Sequence, residues 1–151
     1  MNASAAPFRR PTLIERAVNR GFGLLVGLGL GLSHNYLLQV RGRKSGRLCS
    51  TPVDLLDFKG KQFLVAPRGR TQWVLNAEAA GEVTLKKGRF RQAFRLRALA
   101  DNEKPDILKA YLDRFRLTVQ RYFSVPAGSA PEDFVSLATY YPAFELIPAR
   151  N

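Results

Sequence analysis

Strict alternation along residues 90–99 is the feature that most constrains the fold. One face of this segment is largely apolar and carries Phe90, Gln92, Phe94, Leu96 and Ala98. The opposite face is strongly basic and carries Arg91, Ala93, Arg95, Arg97 and Leu99. Such alternation is typical of a half-buried barrel strand. Gly88 and Arg89 precede it and join it to a strand predicted over 82–87, so the two segments form a hairpin.

The remaining segments predict a small barrel. Further strands are predicted over residues 36–41, from Cys49 to Phe58, over 62–67, and through Phe144 and Leu146 to Pro148. Helices are predicted over 12–31, over 72–80 with Thr71 as its cap, over about 102–122, and from 131. Six strands, mostly joined by hairpins, predict a mainly β (α+β) split barrel with an N-terminal helix and a long helix before the last strand. We expect a single domain over 1–151, with 1–11 flexible.

The charge balance restricts the partners. Lys and Arg number 24 against 12 Asp and Glu, which gives a formal charge of +12. This excess favours a polyanion, an anionic membrane surface or an acidic small molecule. The cations are spread along the chain, and few aromatic residues lie between them for base stacking. We therefore expect no nucleic-acid partner, and a nucleic-acid-binding barrel remains the weaker alternative.

Cysteine and histidine usage limits the chemistry. Cys49 is the only cysteine and His34 the only histidine. An internal disulfide and a Cys- or His-rich metal site are therefore excluded, and we expect no metal. A reducing cytoplasm fits this composition. Because a Ser-His-Asp triad is also disfavoured and no Walker A sequence is present, an enzyme built on this chain needs a cofactor for the difficult step.

An uncharged apolar run occupies residues 21–32. It is too short to span a bilayer, which takes about 20 apolar residues. The run belongs to the predicted N-terminal helix, which either covers one face of the core or rests on a membrane and lines an apolar substrate entrance. Both roles stay open. The expected location is accordingly the cytoplasm, with peripheral membrane contact as an additional expectation.

A compact basic turn follows the first predicted strand. It contains two glycines, three cations and one hydroxyl: Gly42, Arg43, Lys44, Ser45, Gly46 and Arg47. Glycine lets backbone N–H groups approach a ligand closely, and arginine and lysine supply charge for phosphate or carboxylate. The turn therefore predicts anion capture at the end of a strand. A basic hairpin turn in solvent is the alternative interpretation.

The order of several motifs resembles the deazaflavin (F420)-dependent nitroreductase family of split-barrel oxidoreductases. The first motif is Leu-Gln-Val-Arg-Gly-Arg-Lys-Ser-Gly-Arg over residues 38–47. It is followed by Thr51-Pro52-Val53, by Val65-Ala66, by Trp73-Val-Leu-Asn76, and by Glu-Val-Thr-Leu over 82–85. The resemblance covers roughly residues 12–148. It implies coenzyme F420 as cofactor, whose phosphodiester and oligoglutamate tail match a basic protein; FMN is the alternative cofactor.

The resemblance also implies a set of site residues. In the turn, Arg43, Lys44 and Ser45, with Gly46 and Arg47, are expected to hold the phosphate and tail. The ring is expected to lie against Pro52, Val53, Ala66 and Arg68. The cofactor set is completed by Cys49, Pro67, Trp73 and Asn76, where Cys49 and Pro67 occupy positions at which the family often has arginine and a small or hydroxyl residue. Tyr140 and Tyr141 are implied as catalytic, with ordinary packing as the alternative.

Two classes of function remain open from the sequence. The first is an oxidoreductase that transfers a hydride from reduced deazaflavin to an apolar, electron-poor acceptor such as a quinone, enone or nitro compound. The second is a non-catalytic binder of deazaflavin, flavin, fatty acid or tetrapyrrole. The oligomeric state, monomer or homodimer, is also open.

Overall fold

The computed structural model describes residues 34–150. The strands are β1 (Asn35–Arg41), β2 (Leu48–Asp54), β3 (Leu56–Phe58), β4 (Lys61–Val65), β5 (Glu82–Lys87), β6 (Phe90–Ala98) and β7 (Ala143–Pro148). The α-helices are α1 (Gln72–Ala80) and α2 (Lys104–Val119), and 3-10 turns cover Asp101–Glu103, Gln120–Tyr122 and Pro131–Tyr140. The predicted N-terminal helix and the segment 1–11 lie outside the described residues.

All strands join one antiparallel sheet in the order β2-β1-β5-β6-β7-β4-β3. The mainly β architecture is confirmed, but the sheet within residues 34–150 has seven strands, so the prediction of six was wrong. The predicted strand from Cys49 to Phe58 is divided at Leu55. Its first half pairs with β1, whereas its second half pairs with β4.

The division at Leu55 shapes the sheet into a curled half-barrel. β2 and β3 are the two edges of the sheet, yet a single residue separates them along the chain. Leu55 itself is buried, and its N–H donates to the carbonyl of His34 at 2.8 Å. Because consecutive residues must remain covalently joined, the sheet has to curl until its two edges approach each other.

Helix α1 has the bounds that the sequence predicts. Gly81 closes it with a left-handed φ of 72°, and the Gly81 N–H donates to Ala77 at 2.8 Å. A glycine adopts this conformation without the steric penalty that a Cβ would bring. Thr71 stands at the N-cap, but its side chain makes no capping hydrogen bond, contrary to the prediction. The helix buries Val74 and Ala77 against the sheet.

Helix α2 supplies the second wall of the core. Six members of its predicted apolar stripe are buried, namely Ile107, Leu108, Tyr111, Leu112, Phe115 and Val119. The seventh, Tyr122, lies in the following 3-10 turn and is only half-buried. The helix is interrupted at Phe115, where φ is −114° and ψ is 23°. The segment predicted as a short helix from 131 is a 3-10 turn that packs Phe134 and Leu137 into the same core. Within residues 34–150, no helix has the length and apolarity to cross a membrane.

Candidate functional site

A cavity of about 810 Å³ opens between the curled sheet and the helices. Its walls come from residues 49–54 of β2, residues 65–68 at the end of β4, the start of α1, and the end of α2. A strand rises about 3.3 Å per residue, so the ends of the β2 wall lie roughly 16 Å apart. The cavity is therefore long enough for an extended ligand.

The basic turn between β1 and β2 is internally ordered. Gly42 and Arg47 close it, since the Gly42 N–H donates to the Arg47 carbonyl at 2.8 Å. A Cβ at Gly42 would lie 2.8 Å from the Ser45 hydroxyl oxygen and would displace that side chain, whereas Gly46 has a left-handed φ of 71°, which favours glycine. The Ser45 hydroxyl accepts the Arg47 N–H at 3.2 Å. The cations therefore project from a defined backbone.

Asn76 fastens this turn to α1. Its Oδ1 atom accepts hydrogen bonds from the Arg43 backbone N–H at 3.0 Å and from Arg43 Nη1 at 2.8 Å. The same Nη1 donates to Gln72 Oε1 at 3.0 Å. Because both amides are neutral, they orient the Arg43 guanidinium without neutralising its charge. Across residues 34–150, no ion pair involves Arg43, Lys44 or Arg47.

The predicted cofactor-binding residues divide into two groups. The first group lines the cavity and comprises Cys49, Pro52, Val53, Ala66, Pro67, Arg68, Trp73 and Asn76. The second group is the turn itself, Arg43, Lys44, Ser45, Gly46 and Arg47, which lies beside the cavity without forming its wall. Contact between Arg43 and Asn76 links the two groups.

Neither predicted catalytic tyrosine lines this cavity. Tyr140 is 43% exposed on the surface. Tyr141 is 1% exposed, stacks on Phe123 with ring centroids 4.5 Å apart, and donates to the Tyr122 carbonyl at 2.5 Å. Burial raises the pKa of Tyr141 to about 12. A catalytic role for either tyrosine stays a prediction, whereas a packing role for Tyr141 is visible.

Twelve of the twenty cavity residues were not predicted as site residues, and three of these twelve carry titratable side chains: Asp54, Tyr111 and Tyr122. The sequence places Tyr111 and Tyr122 in the apolar stripe of the long helix, which conceals their contact with the cavity. One sequence signal could have indicated Asp54 as a site residue: it is a carboxylate that directly follows Pro52 and Val53. Burial raises the pKa of Asp54, although the nearby His34 and a hydrogen bond from Asn35 act in the opposite direction.

The walls near α1 fit an anionic, phosphate-bearing ligand. The Thr71 hydroxyl oxygen is buried at the cavity wall, and no protein group in the described part of the chain hydrogen-bonds to it. It stands at the N-terminus of α1, where the unpaired N–H groups and the helix dipole favour an anion. Arg68 lines the same wall. Within residues 34–150, no cluster of His, Cys, Asp or Glu is arranged to hold a metal ion.

Fold and cavity together define a split-barrel protein with a long cleft that is cationic at one end. Residues 13–122 match the family described as F420H(2)-dependent quinone reductase. Because this match spans more than half of the chain, the protein belongs to that family. It is accordingly an oxidoreductase that uses coenzyme F420 as the hydride donor to an electron-poor acceptor such as a quinone.

Solved structures share the fold. An F420-H2 dependent reductase, FDR-A, is 19% identical with a TM-score of 0.52, and the match covers 76% of this chain and 94% of that one. A protein described as a domain-swapped dimer is 18% identical with a TM-score of 0.54, covering 88% and 92%. A putative pyridoxamine 5'-phosphate oxidase from Listeria innocua is 8% identical with a TM-score of 0.52, covering 78% and 85%. No curated protein sequence matches the chain.

Proposed function

We propose that the physiological acceptor is a quinone and that it binds at the end of the cavity formed by α2. The observation that carries this proposal is the change in wall chemistry along the cavity. Near α1 the wall contains Arg68, Thr71 and Gln72, whereas near α2 it contains the larger apolar surfaces of Tyr111, Val119 and Tyr122, with Asp54 as a polar group beside them. An apolar, planar acceptor matches the second wall, since aromatic and aliphatic side chains bury such molecules favourably.

The cofactor would occupy the other end. Its anionic tail would contact Arg43, Lys44 and Arg47, together with the Ser45 hydroxyl, because these three cations have no ion-pair partner within residues 34–150. Its ring would lie along Pro52, Val53, Ala66, Pro67 and Trp73, which line the cavity between the two ends. When bound, the cofactor supplies the hydride. The residues of the chain hold it, orient the acceptor and exclude water.

Affinity measurements test the cofactor assignment. Coenzyme F420 with a long tail is expected to bind more tightly than F420 with a short tail, and both more tightly than FMN. Lys44→Ala and Arg47→Ala should each weaken F420 binding two- to fivefold, because exposed charge pairs contribute about 0.5–1 kcal/mol each. Arg89→Ala is the matched control, since Arg89 is an equally exposed cation in the β5–β6 turn, away from the cavity.

Turnover measurements test the acceptor. Reduced F420 should reduce quinones with apolar side chains faster than it reduces polar nitro compounds. The proposal fails if FMN binds as tightly as F420, or if tail length and the turn substitutions leave affinity unchanged. Binding of F420 without reduction of any quinone, enone or nitro compound would favour the non-catalytic alternative.

A further inference from the structure

A polar cluster lies at the α2 end of the cavity, and the assignments above give it no role. The Asp54 side chain lines the cavity and is only 16% exposed. Asn35 pairs with Asp54 across the β1–β2 ladder, and its Nδ2 donates to Asp54 Oδ1 at 2.5 Å. His34 approaches the same oxygen, with Nε2 at 3.5 Å. A carboxyl group is thus fixed between a cavity wall and a histidine.

The titratable groups around Asp54 come from two elements. His34 stands immediately before β1, and its side chain retains 22% exposure while its ring contacts Phe115 of α2 at 4.7 Å between centroids. Tyr111 approaches from α2 and lines the same cavity, followed by Tyr122. Burial raises the pKa of Tyr111 well above its ordinary value, and the neighbouring Asp54 and Tyr122 side chains act in the same direction. Arg68 is the one lysine or arginine among the residues 34–150 that line the cavity.

We infer that Asp54 is the proton donor to the acceptor and that His34 restores its proton from solvent. The inference rests on the proposed function. The cavity encloses the α2 end with Tyr111, Val119 and Tyr122, so a proton needs a defined route to the acceptor. Asp54 contacts that space, and His34 connects it to the surface. His34 suits the outer position because its side chain retains 22% exposure while its Nε2 lies 3.5 Å from Asp54 Oδ1.

The step balances in atoms and charge. Hydride addition to a quinone places an electron pair on one carbonyl oxygen, and reduced F420 is the donor. Asp54 transfers its carboxyl proton to that oxygen, so a hydroquinone forms and a carboxylate remains. His34 then returns a proton to Asp54 and takes one from solvent, and the oxidised cofactor would release its remaining proton to solvent, so two hydrogens in all pass from the donor to the quinone. Burial, which raises the pKa of Asp54, favours the protonated form that this role requires.

Asp54→Asn is the decisive substitution, because asparagine keeps the side-chain oxygen facing Asn35 but carries no transferable proton. We expect kcat for quinone reduction to fall at least about tenfold, with the KM for quinone and the F420 affinity changed less than about twofold. We expect turnover of the unsubstituted protein to decline with rising pH, and this decline should flatten in Asp54→Asn. Asp57→Asn is the matched control, since Asp57 is an exposed carboxylate on β3 that bonds Gln62.

A second measurement is independent of the loaded enzyme. Carbon-13 NMR of the side-chain carboxyl should show Asp54 titrating above the ordinary aspartate range in the cofactor-free protein, and at still higher pH in His34→Gln. His34→Gln should also lower turnover. If Asp54→Asn does not fold, turnover of His34→Gln tests the inference in its place. Unchanged turnover and pH profile in Asp54→Asn, or an Asp54 fully ionised at pH 5, would overturn the inference. If Asp54 titrates above the ordinary aspartate range but the protein does not reduce quinones, the result would instead count against the proposed acceptor.

Discussion

At the scale of single residues, the asparagine of the Trp-x-x-Asn motif hydrogen-bonds to the basic turn between β1 and β2. Asn76 is 6% exposed and uses its Oδ1 to hold Arg43, a residue 33 positions away in the chain. The motif therefore joins helix and turn into one unit. This contact gives the spacing of the two motifs a physical reason.

Asn76→Ala should loosen that unit. Two hydrogen bonds to Arg43 are lost and its backbone N–H is left unpaired, so we expect a loss of about 1–3 kcal/mol in the free energy of unfolding. F420 affinity should fall together with stability, because Arg43 loses its orientation. Chemical denaturation and cofactor titration measure the two effects. Gln72→Ala is the control: Gln72 is exposed and bonds only the guanidinium, so a loss as large as that of Asn76→Ala would contradict this account.

Tyr141→Phe separates packing from catalysis. The substitution keeps the stacking on Phe123 and removes the hydrogen bond to the Tyr122 carbonyl. We expect stability to fall by about 1 kcal/mol with turnover retained. Tyr140→Phe should leave the melting temperature unchanged, since Tyr140 is exposed. A large loss of turnover at unchanged stability in Tyr141→Phe would restore the catalytic role that the sequence resemblance implies.

At the scale of elements, Glu145 holds the last strand between its neighbours. β7 pairs with β4 on one side and β6 on the other. Glu145 contacts a cation on each neighbour: its Oε2 lies 2.7 Å from Arg97 Nε on β6, and its Oε1 lies 3.4 Å from Lys61 Nζ on β4. Hydrogen bonding to Arg97, followed by the charge of Lys61, lowers the pKa of Glu145.

This pairing predicts sensitivity to acid. A carboxyl whose pKa is lower in the folded state stabilises the fold above its unfolded pKa and loses that contribution as the pH falls through its folded pKa. Stability of the unsubstituted protein should therefore decline below about pH 4.5. Glu145→Gln should be less stable at pH 7 and decline less steeply. Thermal melts between pH 7 and 3 measure both slopes; parallel curves for the two proteins would contradict the prediction.

At the scale of the whole molecule, the formal charge of +12 strengthens the binding of an anionic ligand but lowers the stability of the folded chain. Salt screens attraction to an anionic ligand over about 10 Å at 0.1 M. It also screens repulsion among the cations of the folded chain. We therefore expect F420 affinity to fall between 0.05 and 0.5 M salt, more steeply for long tails than for short ones, while the melting temperature holds or rises.

Much of the local structure is predictable from the sequence because it depends on neighbouring residues. The 82–99 hairpin follows from alternation and a glycine turn, and the bounds of α1 follow from Thr71 and Gly81. The buried stripe of α2 follows from helical spacing. The basic turn and the family motifs also point to the cofactor, since each motif is a short continuous segment.

The sheet order and the membership of the cavity depend on pairings between segments that are distant in the chain. The hydrophobic periodicity of a single segment carries no information about its partner. The segment predicted as one strand is divided at Leu55 because the residues before it pair with β1 and the residues after it pair with β4. Sequence alone therefore determined the faces of the 82–99 hairpin, the bounds of α1, the buried stripe of α2 and the position of the basic turn. Tertiary structure decided that Tyr141 packs in the core and that Asp54 and Tyr111, 57 positions apart in the sequence, face one cavity. The physical reason is that a side chain's environment is set by where the curled sheet brings the chain back upon itself.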